Sequence, residues 1–366
     1  MKKSLLMMLL VAATVEVSAQ FHTLKIPQPS NHVTETQTLA VTDITIDYSG
    51  PSANGRDVWN DTNVIPKNGN PIAWRAGANM NTTIEFSTDV TIEGEPLKAG
   101  KYGFHIIPKD DSYQLLFAHN NDQWGSYYLD VDKDVTLQVE VQSEESPASE
   151  KLDYEFINWT ESTVQIALEW ANRRIPFTVG VDLNNTVVES FRSELRGINT
   201  YHWQAWNDAA TWCLRHDTNL EEALTWADRS INGGYGGFAA DKNVTNMTTK
   251  ARILKALNKS EALTATINEL KSMSLSPYEA NGLGIFLLQT NKAKDALEIT
   301  ERILKDNPDV WFLKLNKGIC QYYLGNKKAA IKALGEVEKV APEGFKPRLG
   351  QIKTEIQNDT YKVPGS

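Results

Sequence analysis

The chain has 366 residues, of which 41% are hydrophobic and 23% charged, with a formal net charge of −9. That mixture suits a globular protein rather than a disordered or fibrous one, and the length points to two domains. The charge is unevenly divided: residues 20–186 hold 11 basic and 24 acidic residues, net −13, and residues 187–366 hold 24 basic and 21 acidic, net +3. An acidic first half disfavours nucleic acid as a ligand, since phosphate binding needs a concentrated basic surface.

The N-terminus reads as an export signal over residues 1–19. Lys2 and Lys3 precede an apolar run from Leu5 to Val15, and Val17-Ser18-Ala19 places small residues for cleavage before Gln20. The run is too short to span a bilayer and no later stretch is long enough, so the mature chain is expected to carry no transmembrane segment and to be periplasmic or secreted. Residues 20–38 are expected to be an N-terminal lead-in.

Residues 39–185 read as a β-sandwich. Period-two alternation recurs at Ile44, Ile46 and Tyr48; Ile84 and Phe86; Tyr102, Phe104 and Ile106; Val135 to Val141; Leu152, Tyr154 and Phe156; and Val164 to Trp170. Turn signals separate these runs, among them Glu93-Gly94-Glu95-Pro96 and Pro108-Lys109-Asp110-Asp111, so about eight to ten antiparallel strands are expected. Centring one hairpin near Asp110 pairs His105 with Leu116 and turns His105 away from the face of Phe104.

Candidate ligand-binding residues are Trp74, Arg75, Asn79, His105 and Trp124. Trp74 to Thr83 concentrates an aromatic, a cation and amides just before a strand, where a ligand site can form or where Arg75 and Asn79 can simply pin a long connection. His105 is either a hydrogen-bonded structural histidine or a ligand or base. Trp124, in Gln123-Trp-Gly-Ser-Tyr-Tyr128, is either packed or a platform for stacking a sugar. Six scattered histidines and two cysteines offer no metal-ligand spacing, and no metal or cofactor is expected.

Tyr48-Ser-Gly-Pro-Ser52 with Gly55-Arg56, Trp74-Arg75-x-Gly77-Ala78-Asn79, Val90-Thr-Ile-Glu-Gly94, Leu97-Lys-Ala-Gly100-Lys-Tyr102, the strand end His105-Ile-Ile-Pro108, Trp124-Gly125-Ser126 and Ile175-Pro176-Phe177 occur in an order that resembles a family of exported bacterial proteins defined only as a domain of unknown function. The resemblance covers roughly Leu39 to Val181 and implies a β-rich exported domain, without a catalytic assignment. The sequence departs from the family at Gly50, where a positively charged residue is common.

The second half reads as helical. Residues 186–198 are expected to bridge into the repeats, which occupy 199–344, with a capping helix and tail over 345–366. A shift of 34 aligns Gly284 with Gly318, Asn291 with Gly325, Ala296 with Ala330 and Pro308 with Pro342, the period of a tetratricopeptide helix pair. Two further pairs are expected, over Tyr201 to Ile231 and Met247 to Met273. This half resembles tetratricopeptide-repeat (TPR) proteins, which implies a concave partner-binding face. Cys213 and Cys320 fall three units apart, about 30 Å by helix spacing, so both thiols are expected to be free and buried.

The reading that these features favour is an exported, non-enzymatic binding or scaffold protein whose helical half engages a protein or peptide. A glycan-binding sandwich built on Trp74, Arg75, Asn79 and Trp124 is the alternative. An envelope hydrolase using Glu93, Glu95 or Asp130 is a third possibility, and it requires two carboxyl groups roughly 5–9 Å apart in a cleft.

Overall fold

The computed structural model describes residues 27–110 and 112–364. The expected signal segment, 1–19, and its cleavage point lie outside the described residues. The chain divides into two compact units, one ending at Val181 and the other beginning at Asp182.

The first unit holds two antiparallel sheets. Six strands, β1 (Asn31–Leu39), β2 (Thr42–Gly50), β3 (Thr82–Phe86), β6 (Gly100–Pro108), β7 (Tyr113–Ala118) and β8 (Val135–Val141), pair in the order β1-β2-β3-β6-β7-β8. The other four, β4 (Val90–Ile92), β5 (Glu95–Leu97), β9 (Glu144–Ile157) and β10 (Thr163–Gly180), pair as β5-β4-β10-β9. A short helix, α1 (Val131–Asp134), precedes β8.

The alternating apolar residues of both sheets meet in one core. Phe104 on β6 lies 5.3 Å from Phe117 on β7, and across to the other sheet it lies 5.5 Å from Phe177 on β10 and 6.3 Å from Tyr154 on β9, centroid to centroid. Tyr48 of β2 donates its hydroxyl to the Asp153 carboxylate of β9, adding a polar tie between the sheets.

Most of β1 falls within the expected lead-in. Its register with β2 runs from Asn31 opposite Gly50 to Leu39 opposite Thr42. Most of β1 is polar, so no apolar alternation announces it. Its exposed face is held by cross-strand hydrogen bonds: Thr34 to Asp47 at 2.9 Å, Thr36 with Thr45 at 2.8 Å and Thr38 to Asp43 at 2.7 Å. The tight connection to β2 also lacks a glycine or asparagine signal, because Ala40 takes the left-handed conformation itself, at φ 55°.

Gly50 ends β2 against the other sheet. A Cβ there would lie 2.6 Å from the Leu152 carbonyl oxygen of β9, so the strand crossing leaves no room for the side chain common in the resembled family. Gly50→Ala is expected to destabilise the unit by about 1–3 kcal/mol, as overpacking does, because backbone and not a flexible side chain blocks the space. A urea midpoint equal to that of the unaltered protein would refute this.

The second unit is a run of antiparallel helices. It opens with α2 (Leu183–Glu194), capped by Asp182, whose carboxylate accepts from the Asn185 N–H at 3.2 Å. The bridging helix thus starts three residues earlier than expected and ends at Glu194, before a 3₁₀ turn at Ile198–Tyr201. Four pairs follow: α3 (Trp203–Arg215) with α4 (Leu220–Asn232), α5 (Val244–Ala256) with α6 (Ser260–Ser272), α7 (Pro277–Gln289) with α8 (Ala293–Asp306), and α9 (Trp311–Tyr323) with α10 (Lys327–Val340). The last described helix is α11 (Lys346–Gln357).

Local chemistry sets the helix starts. Asn243 and Asn246 form a reciprocal capping box on α5, as do Ser276 and Glu279 on α7, where Pro277 takes the first turn. The repeated small residues allow close approach between helices: a Cβ on Gly284 would run into the Asn316 amide of α9, and one on Gly318 would sit 3.2 Å from Leu334 of α10. Cys213 and Cys320 are free and buried, and burial pushes their thiols up to about 11 and about 12. They pack as small apolar groups rather than as nucleophiles.

Candidate functional site

Four of the five sequence-predicted residues, Trp74, Arg75, Asn79 and Trp124, line one cleft, and His105 is tied to the Trp124 loop through Ser126, so their roles differ. Trp74 is buried, held in register by a two-way backbone pairing with Ile106 at 2.8 Å. Its ring stacks on Trp170 of β10 at 6.2 Å and meets Trp59 edge-on at 5.9 Å. The neighbouring Arg75 leaves the core. Its guanidinium donates to the carbonyl of Asn79, which sits in the left-handed region at φ 61°, and lies 5.6 Å from the centre of the Tyr127 ring. Arg75 does pin the connection, and it also faces a cleft.

The Trp124-Gly125-Ser126 segment completes this corner one residue at a time. Trp124 is 54% exposed and forms a wall. Gly125, at φ +64°, lets Arg75 lie against the backbone, where a Cβ would be 2.5 Å from the guanidinium carbon. Ser126 turns inward and bonds His105 Nδ1 at 2.7 Å. Asn81 ties this loop to β3, giving its N–H to the Gln123 carbonyl and accepting the Gln123 N–H at its side-chain oxygen, both at 3.0 Å.

His105 pairs with Leu116, as the register predicts, and points away from the core that Phe104 fills. It is fully buried, and its Nε2 has no hydrogen-bond partner among the described residues. Burial, reinforced by the positive charge of Arg75, lowers its pKa to about 4, against a weaker opposing pull from Asp134. A neutral, enclosed imidazole is a packing and hydrogen-bonding element and does not line the cleft.

The cleft beside Arg75 has a volume of about 370 Å³. Arg56, Asn63, Arg75, Asn79, Trp124 and Trp170 form most of its wall. A second hollow of about 680 Å³ adjoins it through Asn79 and Trp124 and reaches the start of β1. Reasoning from sequence missed Arg56 and Asn63, which sit in loops whose glycines and asparagines read as turn formers, and missed Trp170, whose strand position reads as core.

Of the carboxylates considered for hydrolysis, Glu93 accepts the Thr178 N–H of β10, Asp130 pairs with Lys133 three residues on, and Glu95 lies exposed on β5. Among the described residues, no group of three or more histidine, cysteine or acidic side chains is placed to hold a metal ion.

In the helical unit, a cleft of about 420 Å³ runs along the first helices of three successive pairs, α3, α5 and α7. Asn207, Asp208 and Arg215 come from α3, Thr248 and Arg252 from α5, and Glu279 from α7. Asn207 is 5% exposed and its side-chain oxygen lacks a hydrogen-bond partner among the described residues. Arg252 lies 5.7 Å from the centre of the Phe286 ring.

With strand order, turn positions and the Trp-Arg-x-Gly-Ala-Asn corner in view, the family comparison is decisive for the first unit. Residues 29–179 match the family model described as "Protein of unknown function (DUF2911)". The DUF2911 region therefore starts just before β1 and ends within the last two residues of β10. No curated protein matches the chain.

Solved structures similar to the helical part are TPR proteins and MamA structures. YrrB, described as a TPR protein with an unusual peptide-binding site, is 14% identical, with 48% of this chain and 87% of that one covered and a TM-score of 0.32. A tetratricopeptide repeat protein from Parabacteroides merdae is 17% identical, with 49% and 68% covered and a TM-score of 0.37. MamA from Desulfovibrio magneticus RS-1 is 15% identical, with 43% and 86% covered and a TM-score of 0.32. The helical part that follows the DUF2911 region resembles TPR proteins, and its own repeating pairs with small residues at the crossings carry that description.

Proposed function

We propose that this is an exported binding protein whose helical unit holds a segment of a protein partner along α3, α5 and α7. The observation that carries this reading is the cleft itself. Helix pairs stacked in register turn their first helices to one surface, and here that surface is concave and mainly apolar with polar and charged side chains set into it, beside a buried Asn207 oxygen without a partner among the described residues. A peptide backbone N–H would satisfy that acceptor. Arg215 and Arg252 line the cleft without ion-pair partners among the described residues, and of the two carboxylates beside them Glu279 is engaged with Ser276, so the cations outnumber the remaining Asp208 and acidic side chains on the partner are favoured.

Export rests on the Lys2-Lys3 start, the apolar run and the small residues before Gln20. In the DUF2911 region, two sheets that share the Phe104 core support a β-sandwich. The test uses the full mature chain as bait in envelope extract beside the charge-reversed R215E/R252E protein. A defined protein retained by the first and weakened about tenfold or more by the second is expected, since removing charge-assisted contacts costs that much. Equal retention by both, or none by either, would sink the reading.

A further inference from the structure

We propose that the cleft beside Arg75 in the DUF2911 region binds a small carboxylate carried on a ring. This goes beyond the partner-binding reading and rests on different residues.

The first observation is charge. Residues 20–186 carry a net −13, yet no aspartate or glutamate lines this cleft, while two of the unit's four arginines, Arg56 and Arg75, do. Arg173 and Arg174 are occupied otherwise, by Tyr113 and by Glu169. Neither Arg56 nor Arg75 has a carboxylate partner among the described residues; their hydrogen bonds go to backbone carbonyls, and Arg75 also lies against the Tyr127 ring. Cations left unpaired in so acidic a unit, around a hollow free of acid, are placed for an anion.

The second observation is an unmet donor. Trp170 is 1% exposed and lines the cleft, and its Nε1–H has no hydrogen-bond partner among the described residues. Buried indole N–H groups are normally satisfied, so this one is a spare donor on a ring that borders the hollow. Asn63 adds an amide on the same wall.

Edge geometry points to the anion. Arg56 uses Nε and one Nη2 hydrogen on Ala53 and Ser52, and Arg75 uses one Nη1 hydrogen on Asn79. The Nε–Nη2 edge of Arg75 makes no hydrogen bond among the described residues, and this planar fork takes the two oxygens of a carboxylate side by side, with Arg56 Nη1 left for a further contact. The size, about 370 Å³, accommodates a single ring, and the half-exposed Trp124 face offers it a stacking surface.

Calorimetric titration of the full mature chain tests this with four probes: glucuronate, benzoate, glucose and inorganic phosphate. Saturable binding of glucuronate or benzoate, about tenfold or more tighter than glucose or phosphate and weakened by added salt, is expected. Which of the two acids binds distinguishes a sugar acid from an aromatic acid. Arg75→Gln should weaken the carboxylate about tenfold or more, and Trp124→Ala, at an exposed position that the fold tolerates, should weaken it severalfold by removing the stacking face. Should Arg75→Gln fail to fold, Trp124→Ala and the probe contrast on the unaltered chain still decide. Failure of both acids to bind, phosphate binding more tightly than either, or indifference to Trp124→Ala would overturn the assignment.

Discussion

Phe104→Ala is expected to cost the β unit about 3–5 kcal/mol, the range for truncating a buried phenylalanine, and so a large share of a typical domain's stability. Phe104 is fully buried and is one of the rings through which the two sheets meet, within 5.3–6.3 Å of Phe117, Phe177 and Tyr154. Transfer of the side chain alone accounts for about 1.5–3 kcal/mol, and the cavity left among three neighbouring aromatics adds the rest. Those rings cannot collapse into it without leaving their own contacts. Urea unfolding followed by hydrogen exchange at the β6 and β7 amides would measure the loss. The control is Phe238→Ala, at a residue 50% exposed, expected to change stability by less than about 0.5 kcal/mol. A loss at Phe104 no greater than at Phe238 would mean that the sheets do not depend on this contact.

The same strand shows how far the sequence could be read. In Tyr102-Gly-Phe-His-Ile-Ile-Pro108 the period of two separates Phe104 from His105, and the pairing of His105 with Leu116 follows from where the turn lies. Wherever one face is apolar, as in β2, β6 and β10, the pattern exposes the strand. It is silent for β1, whose stability comes from threonine and aspartate side chains bonding across to β2, a chemistry that leaves no periodic apolar trace. In the second unit, Gly284 and Gly318, 34 residues apart, report helix crossings directly, because a Cβ at either would crowd a side chain of a neighbouring helix.

The candidate site was legible only in its first layer. Trp74, Arg75, Asn79 and Trp124 are close in sequence or chemically conspicuous, and the fold does bring them to one cleft. Arg56 and Trp170 join them from a turn and from β10, contacts of long sequence separation that no local spacing encodes. The role of His105 could not be settled from sequence either, since a strand face opposite the core can be open or covered. Here the loop carrying Ser126 covers it.

That cover makes His105 a source of acid sensitivity. Its pKa lies near 4 in the folded unit, against the ordinary 6.5 that it recovers on unfolding. Between those values the unfolded chain binds a proton that the folded unit refuses, so stability is complete above about pH 6.5 and falls as the pH drops toward 4. With 1.36 kcal/mol per unit, the loss attributable to this residue reaches about 3 kcal/mol. The proton has no good place to go: Nδ1 is engaged with Ser126, Nε2 is enclosed without a partner, and the Arg75 cation opposes a second positive charge more than the Asp134 carboxylate favours it. Urea unfolding at pH 7, 6, 5 and 4 should therefore show His105→Gln, which cannot charge, losing less stability on acidification than the unaltered protein by about that amount. The comparison subtracts the carboxylates, which titrate in both proteins. Parallel pH profiles would show instead that the imidazole takes up its proton in the folded state at little cost, and that the Ser126 loop opens to let it.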